Sequence, residues 1–160
     1  MRWWELEGTA PALAGRIRAL LTRHRVAMLA TLRANGSPRI SVVEPYFVAG
    51  HLALGLMAWS AKARDLVRDP RCALHNPVTD PEGGDGEVRL TGRAAPLERS
   101  ELRGEDRDAW WSKTPDAECM LVSLEVEAAT VVSWDASGGL MHVERWTAVG
   151  GLQRSSRHYP

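Results

Sequence analysis

The spacing of apolar residues changes period several times along the chain. Leu13, Ile17, Leu20 and Leu21 recur at helical intervals. With Thr9 able to cap and Pro11 tolerated in a first turn, they predict an amphipathic helix running to about Thr22, its arginines Arg16, Arg18 and Arg23 elsewhere or near the end. From Val26 to Leu32 the apolar run is unbroken, as in a strand buried on both faces. Asn35-Gly36 tolerates positive φ and turns the chain into Arg39–Glu44, an antiparallel neighbour. After Pro45, which punctuates, and the turn Ala49-Gly50, His51–Leu56 reads as a third strand. Ala61–Arg68 reads as a short helix stopped by Pro70.

Cys72–His75 is then a fourth strand, and the polar stretch Asn76–Glu87 is a loop. Glu87–Ala94 alternates like a strand with one wet face, and Glu98–Trp110 reads as a charged helix. Met120–Val126, Ala129–Trp134 and, after Gly138-Gly139, Leu140–Trp146 complete about seven strands and three helices. Short strands joined by tight turns, with no strand-helix-strand rhythm, predict a mainly β domain whose antiparallel sheet closes or nearly closes on itself. Its length suits a single domain over residues 1–160, with part of the core open to completion by a partner subunit.

Composition narrows the function classes. Twenty acidic residues balance twenty basic ones, which removes the footprint of a non-specific nucleic-acid binder. No apolar run approaches the roughly 18 residues of a membrane span, and the opening Met1–Glu5 does not begin a signal peptide, so a cytoplasmic protein is expected. Cys72 and Cys119 lie in apolar runs and read as buried thiols, and the five histidines are scattered, so no metal is expected.

The candidate chemistry sits between Trp59 and Arg71. Ser60, Lys62 and Arg64 place a hydroxyl, an ammonium and a guanidinium at the start of a short helix, where free N–H groups and the dipole already favour a phosphate. Lysine occurs only at Lys62 and Lys113, so one of the two stands inside this anion grip. The expected partner is a phosphorylated cofactor. No acid–base pair stands out, and hydride transfer in a dry pocket does not require one. His75 reads as a core or rim residue, and Trp110-Trp111 as exposed or interfacial.

Three places carry a family resemblance: the hairpin Val26–Glu44, the run Ser60-Ala61-Lys62-Ala63-Arg64-Asp65-Leu66 leading to Asp69-Pro70-Arg71, and the strand Val88–Gly92 ending in glycine. Together, over roughly Leu13–Trp146, the chain resembles the pyridoxamine 5'-phosphate oxidase-like, FMN-binding split-barrel superfamily. The resemblance implies a six- to seven-stranded antiparallel split barrel, a homodimer with FMN between subunits, and oxidoreductase chemistry on a small molecule not specified by the sequence. It assigns the phosphate to Ser60, Lys62 and Arg39. The backbone of Arg39, Ile40, Ser41, Val42 and Val43 would run beside the ring, flanked by Gly55 and Leu56. Glu87 stands where the family has glutamine, and Trp146 where it often has an aromatic residue near the cofactor. Trp59 could cover the ring or a dimer seam, with core packing the alternative.

Two departures qualify the match. Ala61 replaces an arginine of the oxidase's own motif, leaving the grip one cation weaker, and Arg154–His158 does not reproduce the pattern that holds pyridoxamine phosphate, which argues against a vitamin B6 substrate. A branch with a similar Ala-Lys motif and Asp-Pro-Arg uses a deazaflavin, coenzyme F-420, as a hydride carrier; a non-enzymatic flavin- or haem-binding protein is the other alternative.

Overall fold

The computed structural model describes residues 1–80 and 85–158. Two helices open the chain, α1 (Trp3–Thr9) and α2 (Pro11–Arg23). Strands β1 (Ala27–Leu32), β2 (Pro38–Val43), β3 (Pro45–Val48) and β4 (His51–Met57) follow, then α3 (Ala61–Arg68), β5 (Arg71–His75) and β6 (Glu87–Pro96). After three short 3₁₀ turns come β7 (Cys119–Asp135), β8 (Leu140–Thr147) and β9 (Gly151–His158). Every strand pairing is antiparallel.

The hydrogen-bonded order is β2-β1-β5-β6-β7-β4-β3, with β8 and β9 branching from β7. The two ends of this order, β2 and β3, are separated in sequence by Glu44 alone. The sheet therefore curls back on itself and stops short of closing. This is the antiparallel split barrel that the resemblance implies, with nine strands among the described residues where six or seven were expected.

The differences have physical causes. Met120–Val126 and Ala129–Trp134 are one long strand, β7, which pairs with β6 on one side and with β4 and then β8 on the other. A bulge at Glu127 of β7, opposite Thr91 and Gly92 of β6, interrupts the register of this pair. β3 is hidden from sequence reading because it starts at Pro45, and β9 because it is exposed on both faces. α1 was not expected; the Glu5 carboxylate accepts the Arg2 backbone N–H at 2.6 Å across its first turn, and Trp3 and Leu6 bury its inner face.

The charged helix over Glu98–Trp110 does not form. Arg103 and Gly104 adopt left-handed backbone, with φ of 54° and 73°, which breaks the segment into 3₁₀ turns at Arg99–Leu102 and Trp110–Lys113. Part of the expected loop, residues 81–84, lies outside the described residues. Its base is tied by Asn76, whose side chain donates to the Gly86 carbonyl at 2.8 Å and accepts from the Val88 N–H at 2.6 Å.

Two apolar clusters fill the interior. Leu13, Ile17 and Leu21 of α2 pack with Leu29, Leu54, Leu74 and Leu90 in the larger one, each such side chain stabilising the fold by about 1.5–3 kcal/mol. The smaller centres on Trp111, with Val48, Ala53, Leu97, Leu102 and Leu121. Trp111 is therefore fully buried, contrary to the exposed or interfacial place expected for it; its indole N–H donates to Asp106 at 3.0 Å. No helix among the described residues is long and apolar enough to cross a membrane.

Candidate cofactor site

α3 forms where the sequence pattern puts it because Ser60 caps it, Ala63 and Leu66 bury its inner face, and the chain leaves helical geometry at Asp69, just before Pro70. The Ser60 hydroxyl accepts the Ala63 N–H at 3.3 Å, and its carbonyl takes the Arg64 N–H at 3.2 Å. The N–H groups of Ala61 and Lys62 are left without intrahelical partners. Lys62 is half-buried, and among the described residues no hydrogen bond or ion pair engages its ammonium.

Beside that turn lies a recess of about 430 Å³, lined by Arg33, Ala34, Asn35, Arg39, Ala61, Arg64, Asp65 and Arg68. It joins the helix to the β1–β2 hairpin, whose loop is shaped by Gly36 at φ 80° and by Asn35, which accepts from the Ser37 backbone and hydroxyl. Asp65 lies at its base, only 3 % exposed. Its Oδ2 accepts from Arg39 Nε at 2.6 Å and Thr31 Oγ1 at 3.0 Å, and its Oδ1 from Arg68 Nη2 at 3.1 Å. Burial alone would raise this carboxyl, but the hydrogen bonds from Arg39, Arg68 and Thr31 outweigh it and hold it at about 2. Arg68 also donates to the Leu32 carbonyl, and Arg64 to that of Trp59.

The structure brings Arg39 and the first turn of α3 together; Ser60 and Lys62 are not among the residues lining the recess. Along β2, Ile40 and Val42 are 73 % and 63 % exposed, while Arg39 and Ser41 are half-buried and Val43 is buried. β2 pairs only with β1. Its other backbone edge carries no ladder among the described strands. Gly55 and Leu56 lie within β4, both buried, and a Cβ on Gly55 would stand 2.1 Å from the Trp111 ring. Glu87 lies 3.4 Å from both His75 Nε2 and Arg89, and Trp146 is 3 % exposed in the larger core cluster. Trp59 is 71 % exposed.

At the far end of β2, about 16 Å from Arg39 by strand rise, is a second recess of about 450 Å³. Val26, Glu44, Pro45, Tyr46 and Phe47 line it, with Arg18 and Arg25. The Tyr46 hydroxyl donates to Glu44 at 3.0 Å, and burial together with that carboxylate raises the phenol above its ordinary value. The Arg18 guanidinium covers Phe47, 4.5 Å from its centroid. The thiols offer no comparable chemistry: burial pushes Cys72 up to about 12 and also raises Cys119.

Sequence reading placed Asp65 and Arg68 in the stretch from Trp59 to Arg71 without giving them a role, and did not single out Arg33; all three line this recess. The i, i+3 spacing of Asp65 and Arg68 on α3 was the available signal; the approach of Thr31 and Arg39 across the hairpin had none.

Solved structures share this architecture. The protein PhzG from Burkholderia lata, in complex with tetrahydrophenazine-1-carboxylic acid, matches at 13 % identity with a TM-score of 0.68, over 98 % of this chain and 96 % of that one. A pyridoxamine 5'-phosphate oxidase-related, FMN-binding protein from Nostoc punctiforme matches at 14 % identity with a TM-score of 0.62, over 96 % and 97 %. A haem-binding protein from Mycobacterium smegmatis matches at 17 % identity with a TM-score of 0.60, over 88 % and 86 %. At these identities the likeness establishes the fold alone. Compared with curated protein sequences, the chain finds no significant match. The family model for pyridoxamine 5'-phosphate oxidase matches residues 13–135, a span that runs from α2 through the Asp65 recess to the end of β7, and on that match the chain belongs to the pyridoxamine 5'-phosphate oxidase family.

Proposed function

We propose that this protein is a flavin-dependent oxidoreductase that seats FMN along β2, acting in the cytoplasm as a homodimer of single-domain chains. The observation that carries the reading is Lys62, a half-buried residue whose ammonium has no described partner, on the first turn of α3 next to two free N–H groups. A cation beside free N–H groups at the positive end of a helix, with no carboxylate paired to it, favours an anionic ligand. The residues present fit the cofactor: Ser60, Lys62 and Arg39 would hold its phosphate, and the unpaired edge of β2 offers main-chain donors and acceptors to a planar ring. Exposed Ile40, Val42, Met57, Trp59 and Val67 supply apolar cover for the ring and for a second subunit.

When bound, the flavin supplies hydride transfer. The chain's own residues position and shield it. Ile40 and Val42 exclude water from one face of β2, and the recess at Glu44, Tyr46 and Phe47 would take the reacting molecule, with Arg25 and the Tyr46 hydroxyl as its polar contacts. Glu87 would face a flavin carbonyl only if protonated or turned toward His75 and Arg89, the neighbours it has here. The buried Trp146 contributes packing.

Titration with riboflavin phosphate and with the deazaflavin coenzyme, in native protein and in Lys62→Ala, tests the reading. Native protein is expected to bind at least one with its absorbance bleached by a nicotinamide donor, and Lys62→Ala to bind about 1–3 kcal/mol more weakly. Equal affinity in both proteins, or a colourless protein that takes up haem instead, would overturn it.

A further inference from the structure

The recess between α3 and the β1–β2 hairpin gathers four guanidiniums, Arg33, Arg39, Arg64 and Arg68, around one carboxylate. Left to themselves, the terminal groups of Arg39 and Arg68 would repel each other and swing into solvent. Asp65 prevents this by the way its contacts are divided. It engages Arg39 through Nε alone, leaving both terminal nitrogens of that guanidinium without a described partner. It takes a single terminal nitrogen of Arg68, whose other bond, to the Leu32 carbonyl, anchors that side chain to the end of β1. Thr31 holds the Oδ2 atom in place from β1. A buried carboxylate with three donors is not itself a ligand for an anion; it is a peg that aims two cations.

Building on the FMN reading above, we propose that Asp65 is the positioning residue of the anion grip: it orients Arg39 and Arg68 so that their unused N–H groups converge on the cofactor's phosphate oxygens, restoring the cation lost at Ala61. The small Ala61 side chain lines the same recess and leaves it open. A charge argument alone predicts the opposite, because a carboxylate beside a phosphate repels it. The two accounts therefore differ in the sign of one measurement.

The experiment compares native protein, Asp65→Asn and Thr31→Val by fluorescence titration with riboflavin phosphate and with riboflavin, which lacks the phosphate. Asp65→Asn is expected to weaken riboflavin phosphate binding roughly tenfold, the scale of one lost charge-assisted contact, and to leave riboflavin unchanged. Thr31→Val, which keeps the carboxylate, should show a smaller loss with the same selectivity, and serves if Asp65→Asn does not fold. Unchanged or tighter binding of riboflavin phosphate by Asp65→Asn, or an equal loss for riboflavin, overturns the assignment. Should native protein bind neither flavin, the FMN reading falls by itself. Inorganic pyrophosphate then decides on Asp65: binding that weakens in the variants upholds it, and no binding or equal binding overturns it.

Discussion

β2 and β4 are both assigned to the cofactor by sequence resemblance, yet they differ in nearly every physical respect. β2 is a margin of the sheet with alternate side chains in the open, whereas β4 lies between β3 and β7 with all but its last residue buried. On β4 the sequence is dictated by packing: Gly55 is glycine because the Trp111 ring lies where a side chain would start. On β2 nothing among the described residues packs on Ile40 and Val42, which the proposed function assigns to the ring and to a second subunit.

The largest effects should come from the packed side. Trp111→Ala should lower stability to denaturant by about 3–5 kcal/mol, since it empties the centre of the smaller cluster. Gly55→Ala should cost about 1–3 kcal/mol or more, because backbone and ring cannot both stay; a variant as stable as the native chain would break the account of β4. On the open side, Ile40→Ser together with Val42→Ser should change the stability of the isolated chain by no more than about 0.5 kcal/mol per position, while reducing flavin affinity and shifting sedimentation toward monomer.

The pH response sharpens the comparison further. Asp65 is held at about 2 in the folded chain against an ordinary 3.8. A depressed folded value means that its contribution is fully present above the unfolded value and is lost as pH falls through the folded one. Stability should therefore decline between about pH 4 and pH 2, and a urea series in Asp65→Asn should show a shallower decline across that window. Identical slopes would detach Asp65 from acid stability.

Much of the fold was legible because local chemistry agreed with tertiary structure. Asn35-Gly36 turned the hairpin, Ser60 capped α3, and the apolar run of β4 was buried, whereas β1 buries one face and leaves Met28, Ala30 and Leu32 half-buried instead of closing both. The failures occurred where local and global signals parted. Glu98–Trp110 has helical composition, but the chain must turn at Arg103-Gly104 to bring Trp111 under β4. Gly151–His158 carries one large apolar side chain, Leu152, because β9 buries little, and its backbone pairing with β8 makes it a strand. In the site, the helix-borne part was visible as a motif. Arg39 came from the family resemblance, while the part supplied by Thr31 and Arg33 depends on hairpin register, Thr31 opposite Arg39, which motif spacing on α3 does not encode.

The single residue between β2 and β3 has a mechanical consequence. Glu44 joins the first and last strands of the hydrogen-bonded order, so the gap is bridged by covalent chain and by no ladder between them. The two lips share no rung, so their spacing is set by the torsion angles from Val43 to Pro45 and by the packing behind each strand.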